Sequence, residues 1–116
     1  MADCTIYHNP RCGKSRTTLQ LLRDQGHQPT IIEYLQTPPD AATLDTLLLA
    51  LGKEPQEIVR KGEARYQELG LGERQPSRAE WLAILAANPI LIERPIVVHG
   101  HQARLGRPPE QVLELF

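Results

Sequence analysis

Aromatic residues are scarce in this chain of 116 residues, which has three Tyr, one Trp and one Phe. We therefore expect an aliphatic core. We do not expect the aromatic platforms on which the bases of single-stranded nucleic acid stack. Cysteines number only two, which is too few for a disulfide scaffold. The shortage of cysteine predicts a protein of a reducing compartment, which we expect to be the cytoplasm.

The sequence also has no surplus of positive charge and no long apolar run. Its 13 Lys and Arg stand against 14 Asp and Glu, which gives a formal net charge of −1. Proteins that bind nucleic acid or anionic membranes need a basic surplus, and a membrane span needs about 20 apolar residues. The first residues lack the basic and apolar segments of a secretory signal. We therefore expect no nucleic acid and no membrane among its partners.

The prolines and glycines divide the chain into short elements. The pattern predicts strands at 4–8 and 30–35, a helix at 13–25 between them, a hairpin of strands 96–99 and 102–105, and a closing helix at 110–115. Between the second strand and the hairpin it predicts a helical stretch, with a helix capped by Asp40, a short helix at 55–60 and a helix that begins with a capping box at Ser77 and Glu80. Two strands joined by a helix are parallel, whereas a hairpin adds antiparallel strands. The order predicts a thioredoxin-like α/β fold with a mixed four-stranded sheet. We expect a single domain, residues 1–116, with the helical insertion at roughly 37–90.

Cys12 directly precedes the first predicted helix, where free N–H groups and the helix dipole favour an anion. Such a position makes a thiol more acidic, and the thiolate is the reactive form. Arg11, Lys14 and Arg16 add positive charge nearby. A dithiol motif would need a second cysteine at position 15, where Ser15 stands, and Cys4 lies at the far end of the first strand. We predict a single reactive thiol.

Several segments resemble the glutaredoxin-dependent, ArsC-type arsenate reductases. The likeness covers nearly the whole chain and is carried by residues 6–16, 34–39, 66–71, 88–92 and 94–98. The segment around Cys12 has the family's His-x3-Cys-x3-Arg spacing. The chain is most similar to the short, arsenate-reductase-related branch of the family, for example in residues 106–114. The resemblance implies a thioredoxin-like fold and reduction of arsenate to arsenite.

The resemblance also implies roles for particular residues. It makes Cys12 the catalytic nucleophile and assigns the oxyanion to Arg60, Arg94 and Arg107. Arginine forks suit tetrahedral oxyanions, which supports that assignment. The family's supporting residues match His8, Ser15 and Arg16. In this fold the Arg94–Pro95 peptide bond is expected to be cis.

The implied reaction needs glutathione as co-substrate and glutaredoxin as partner, with no bound cofactor. Two alternatives remain open at this stage. One is a glutathione-dependent thiol or disulfide oxidoreductase acting on another substrate. The other is a non-catalytic thioredoxin-like regulatory module, although Ser15 breaks the Cys-x-x-Cys pair typical of such regulators. His99 precedes the predicted two-residue hairpin turn Gly100-His101, and the two histidines form no metal-ligand cluster, so no metal is expected.

Overall fold

A computed structural model describes residues 3–116 of the chain. Two compact units make it up. The first combines the chain up to Thr37 with Arg94–Phe116, and the second is Pro38–Glu93. The second unit corresponds in position to the helical stretch that the sequence predicts.

The first unit contains a four-stranded sheet with the strand order β2-β1-β3-β4. Its elements are β1 (Cys4–His8), α1 (Gly13–Asp24), β2 (Pro29–Glu33), β3 (Ile96–His99) and β4 (Gln102–Leu105). The β1–β2 pair is parallel, whereas β1–β3 and β3–β4 are antiparallel. The predicted β-α-β unit and hairpin are thereby confirmed. The hairpin turn has Gly100 at φ +62°, a backbone conformation that favours glycine.

The core of this unit is aliphatic, as the composition predicts. Alternate residues of β1 are buried. They form one cluster with residues of α1, of β3 and of the end of the chain: Cys4, Ile6, Leu19, Leu22, Val97, Val112 and Leu115. Because strand side chains alternate between faces, His8 is buried on the same side as Ile6. The core thus extends directly to the end of β1 that leads to Cys12.

Two predicted elements of the first unit have different bounds or geometry. β2 ends at Glu33, and the N–H groups of Gln36 and Thr37 donate to the Glu33 carbonyl at 2.9 Å, so the chain turns where the sequence predicts two more strand residues. The closing helix, Pro109–Leu115, is a 3₁₀-helix. Its buried residues, Val112 and Leu115, are three apart, and the three-residue turn places both on one face.

The second unit is helical. It contains α2 (Ala41–Leu51), α3 (Ala64–Glu68) and α4 (Arg78–Ala87), with 3₁₀ turns at Pro55–Glu57, Leu71–Glu73 and Pro89–Leu91. The predicted caps are present: Asp40 accepts from the Thr43 N–H, and Ser77 forms a capping box with Glu80.

The predicted helix at 55–60 is wrong beyond its first turn. Val59 pairs with Ile92 in an isolated antiparallel bridge, and the N–H of Arg60 donates to the Leu91 carbonyl at 2.8 Å. Ile58 and Val59 are both buried. Two consecutive buried β-branched residues fit an extended segment better than a helix.

Among the helices of residues 3–116, none is long and apolar enough to cross a membrane.

Candidate active site

Cys12 stands at the junction between the tip of β1 and the start of α1. It is the N-cap residue of α1, with extended backbone angles (φ −94°, ψ 123°), and it is half-buried. Its N–H donates to the Asn9 carbonyl at 3.0 Å, which closes the turn that follows β1. No acidic residue occurs in the first turn of α1. The sulfur therefore lies at the positive end of the helix without a neighbouring carboxylate in that turn.

The pKa of the Cys12 thiol is lowered. Burial is the largest single influence and acts to raise this pKa. It is outweighed by the Ser15 N–H, the Arg94 guanidinium and the Lys14 N–H, which all favour the thiolate. The side chain makes no capping hydrogen bond, so these groups act on the charge that develops on the sulfur. Cys12 is thus prepared to react as a thiolate.

Cys4 has the opposite character. It opens β1, is buried in the core, and both cysteines are free thiols. Burial, followed by the nearby Asp3 carboxylate, raises the pKa of Cys4 to about 11. The prediction that Cys4 is a core residue rather than a partner for Cys12 is confirmed. The first unit therefore holds one activated thiol and one inert thiol.

His8 and Ser15 join the end of β1 to the first turn of α1. Nδ1 of His8 lies 2.6 Å from Oγ of Ser15, and the Asn9 N–H donates to the same oxygen at 3.0 Å. Both side chains are buried. Burial lowers the pKa of His8, and Arg23 and Arg16 add to this effect, whereas Glu33 opposes it. Ser15 thus fixes the loop with its hydroxyl while its N–H faces the Cys12 sulfur.

Arg94 and Arg107 belong to the same unit as Cys12. Arg94 acts on the thiol both by its charge and by a side-chain hydrogen bond. Nη1 of Arg107 donates to the Arg94 carbonyl at 3.1 Å, and the Gly106 N–H donates to the Pro95 carbonyl at 2.9 Å. The structure therefore brings Arg94 to Cys12 and holds Arg107 against Arg94.

Pro95 follows Arg94 through a cis peptide bond, as the sequence predicts. A second cis bond, Arg107–Pro108, is not foreseen by the sequence analysis.

The other two predicted arginines have local partners. Arg60 lies in the second unit, where its Nη1 pairs with Oε1 of Glu63 at 2.6 Å. Arg16 is exposed on α1, and its Nη1 donates to the Pro10 carbonyl at 2.9 Å. Arg16 therefore braces the loop before Cys12.

The remaining predicted features concern metals and the hairpin. Within the described part of the chain, no three His, Cys, Asp or Glu side chains group into a metal site. Nδ1 of His99 lies 2.9 Å from the Leu115 carbonyl, and its ring lies against Phe116 with centroids 4.8 Å apart. His99 thus connects β3 to the closing 3₁₀-helix.

Sequence reasoning missed one wall beside the Cys12 loop. The turn after β2 brings Glu33, Leu35 and Gln36 next to residues 8–11, where they line a common pocket. The signal was present in the parallel pairing of the two strands, since His8 and Glu33 are register partners. Because the predicted second strand continues to Leu35, the sequence analysis places no turn after Glu33.

Comparisons with known proteins agree with this geometry. A model of the ArsC family matches residues 7–115. The uncharacterized protein YfgD of Escherichia coli (strain K12) is 51% identical over 111 residues, or 95% of this chain and 93% of its own. An arsenate reductase of the same strain is 45% identical over 116 residues, or all of this chain and 82% of its own.

Solved structures give the same result. The structure of an arsenate reductase from Vibrio cholerae is 50% identical, covers all of both chains and superposes with a TM-score of 0.95. This likeness confirms the predicted thioredoxin-like α/β fold. Since the family model spans almost the entire sequence and the relatives match it from end to end, this chain belongs to the ArsC family.

Proposed function

We propose that this chain is an arsenate reductase that uses glutathione and glutaredoxin. The observation that carries the proposal is the Cys12 thiol at the start of α1, with its pKa lowered and Arg94 beside it. The relatives named arsenate reductase, at 43–45% identity over 112–116 residues, support the choice of substrate. We further propose that the reaction takes place in the cytoplasm, where thiols are kept reduced.

The first step is attack of the Cys12 thiolate on arsenic. A sulfur–arsenic bond forms, and one arsenate oxygen leaves as water after taking up protons. Arg94 and Arg107 are the groups that we expect to hold the remaining oxygens, since guanidinium forks match oxyanions. Arg60 joins this set on the family resemblance alone. Arsenic remains pentavalent at this point.

The second step transfers two electrons to arsenic. A glutathione thiolate attacks the Cys12 sulfur, a sulfur–sulfur bond forms, and the electron pair of the sulfur–arsenic bond stays with arsenic. Arsenite leaves as the trivalent product, and Cys12 is left as a mixed disulfide with glutathione. Glutaredoxin then reduces that disulfide by thiol–disulfide exchange, which is why no second cysteine is needed in this chain.

A coupled assay tests the proposal. NADPH consumption is followed with glutathione reductase, glutathione, glutaredoxin and arsenate. We expect arsenate-dependent turnover that Cys12→Ser abolishes and Cys4→Ser retains. Turnover on a glutathionylated peptide but not on arsenate would instead assign the chain to the general thiol reductases. Absence of turnover on both substrates would contradict both enzymatic readings.

A further inference from the structure

A pocket of about 210 Å³ lies at the carboxyl ends of the parallel strands β1 and β2. One wall is the loop of residues 8–11, and the other consists of Glu33, Leu35 and Gln36. The first wall leads directly into Cys12, so the pocket adjoins the loop that carries the nucleophile. Nothing in the steps described above occupies it.

Hydrogen bonds within each wall fix its shape. In the first wall, Oδ1 of Asn9 accepts from the Arg11 N–H at 3.0 Å, and the Asn9 carbonyl accepts from the Cys12 N–H. In the second wall, the Glu33 carbonyl accepts from two successive N–H groups, and the side chain of Tyr34 is buried at 2% exposure. The pocket is therefore preformed, and binding loses less conformational entropy than it would in a flexible loop.

The pocket has opposite charges on its two walls. Arg11 and Glu33 are exposed, and neither forms an ion pair with any residue among 3–116. His8, which also lines the pocket, is 6% exposed. Its Nδ1 is engaged by Oγ of Ser15 at 2.6 Å. Leu35 adds an exposed apolar side chain to the rim.

We propose that this pocket binds glutathione, an inference that rests on the proposed function. Glutathione is a small peptide with one ammonium, two carboxylates and two amide bonds. Arg11 suits a carboxylate, Glu33 suits the ammonium, and Gln36 suits an amide of the peptide. A peptide held here has its thiol beside the loop that leads to Cys12. The pocket thereby selects a charged peptide thiol over a small uncharged thiol.

Binding is tested without redox chemistry by titrating S-methylglutathione into the Cys12→Ser variant by calorimetry. We expect saturable binding that Arg11→Glu and Glu33→Lys each weaken by about tenfold, because attraction becomes repulsion. The matched control is Arg23→Glu, an equal charge reversal on exposed α1 outside the pocket. Arg23 acts on His8 through space, so this variant measures the long-range part of the effect.

Amide chemical shifts of the unsubstituted protein give a second readout that does not depend on any variant folding. S-methylglutathione should move the signals of residues 8–11 and 33–36 more than those of β4. No saturable binding, or equal weakening by Arg11→Glu and Arg23→Glu, would overturn the pocket assignment while arsenate turnover with glutathione could still stand. Binding at these residues without any arsenate turnover would uphold the pocket and contradict the proposed function.

Discussion

The backbone of Gly106 lies directly against the side chain of Thr18. A Cβ atom at Gly106 would stand 2.6 Å from Oγ1 of Thr18 and 2.7 Å from Cγ of Pro95. Thr18 is fully buried, and its hydroxyl donates to the Lys14 carbonyl at 2.7 Å, so it cannot easily give way. Only glycine allows the end of β4 to approach α1 and the Arg94–Pro95 segment this closely.

Gly106→Ala should therefore destabilise the protein. Forcing a methyl group into a filled core site costs about 1–3 kcal/mol of unfolding free energy. The measurement is urea unfolding followed by circular dichroism. The control is Gly62→Ala, an exposed position with no atom within 4 Å of the added Cβ, where we expect a change within about 0.5 kcal/mol.

A double-mutant cycle checks the cause of that loss. In the Gly106→Ala background, Thr18→Ala should cost less than it does alone, because it removes the two Thr18 atoms that the new methyl group meets. If the losses of unfolding free energy caused by the two substitutions are strictly additive, contact of the new methyl group with Thr18 is not the cause of the Gly106→Ala destabilisation.

The two cysteines should differ strongly in reactivity. Cys12 is half-buried with a lowered pKa, whereas Cys4 is buried with a pKa of about 11. Iodoacetamide at neutral pH should label Cys12 at least tenfold faster than Cys4, because the thiolate reacts and Cys4 is neither ionised nor accessible. Mass spectrometry of timed digests measures the ratio. In urea the two rates should converge, and equal rates in the folded protein would contradict an activated Cys12.

His8 should make the protein less stable in mild acid. Burial lowers the pKa of His8, so the folded protein resists protonation that the unfolded chain accepts near pH 6.5. The unfolding free energy contributed by neutral His8 is present above that pH and is lost as pH falls below it. Urea unfolding at pH 7.5 and pH 5.5 should show a smaller acid loss for His8→Asn than for the unsubstituted protein.

Much of the fold is predictable from local signals, since the caps at Asp40 and Ser77 and the turn at Gly100 are coded by neighbouring residues. The position of Cys12 follows in the same way from the strand, turn and helix around it. What escapes prediction depends on contacts distant in sequence. The Val59–Ile92 bridge replaces a helix because its partner is more than thirty residues away. The close approach of Gly106 to Thr18 likewise has no local signature.

The arginines provide the strictest test of the anion site. If Arg94, Arg107 and Arg60 hold a tetrahedral anion at Cys12, sulfate should protect the thiol from iodoacetamide. Loss of one charged contact should weaken that protection about tenfold, which corresponds to about 1.4 kcal/mol. Arg94→Ala should also raise the pKa of Cys12, because it removes a positive charge that favours the thiolate. Arg94→Lys should keep much of the thiol acidity but lose the bidentate fork, and with it most of the sulfate protection.

Arg74→Ala is the control for this series, since Arg74 is exposed and is not among the proposed site residues. It should change neither sulfate protection nor the pH dependence of alkylation. The comparison with Arg60→Ala decides how many arginines the site contains, because Arg60 enters it on resemblance alone while its guanidinium pairs with Glu63. If Arg60→Ala behaves like Arg74→Ala in both measurements, the anion site is reduced to Arg94 and Arg107 beside Cys12. If Arg94→Ala and Arg107→Ala do so as well, none of the three arginines holds the oxyanion, and the mechanism proposed for the first step is wrong.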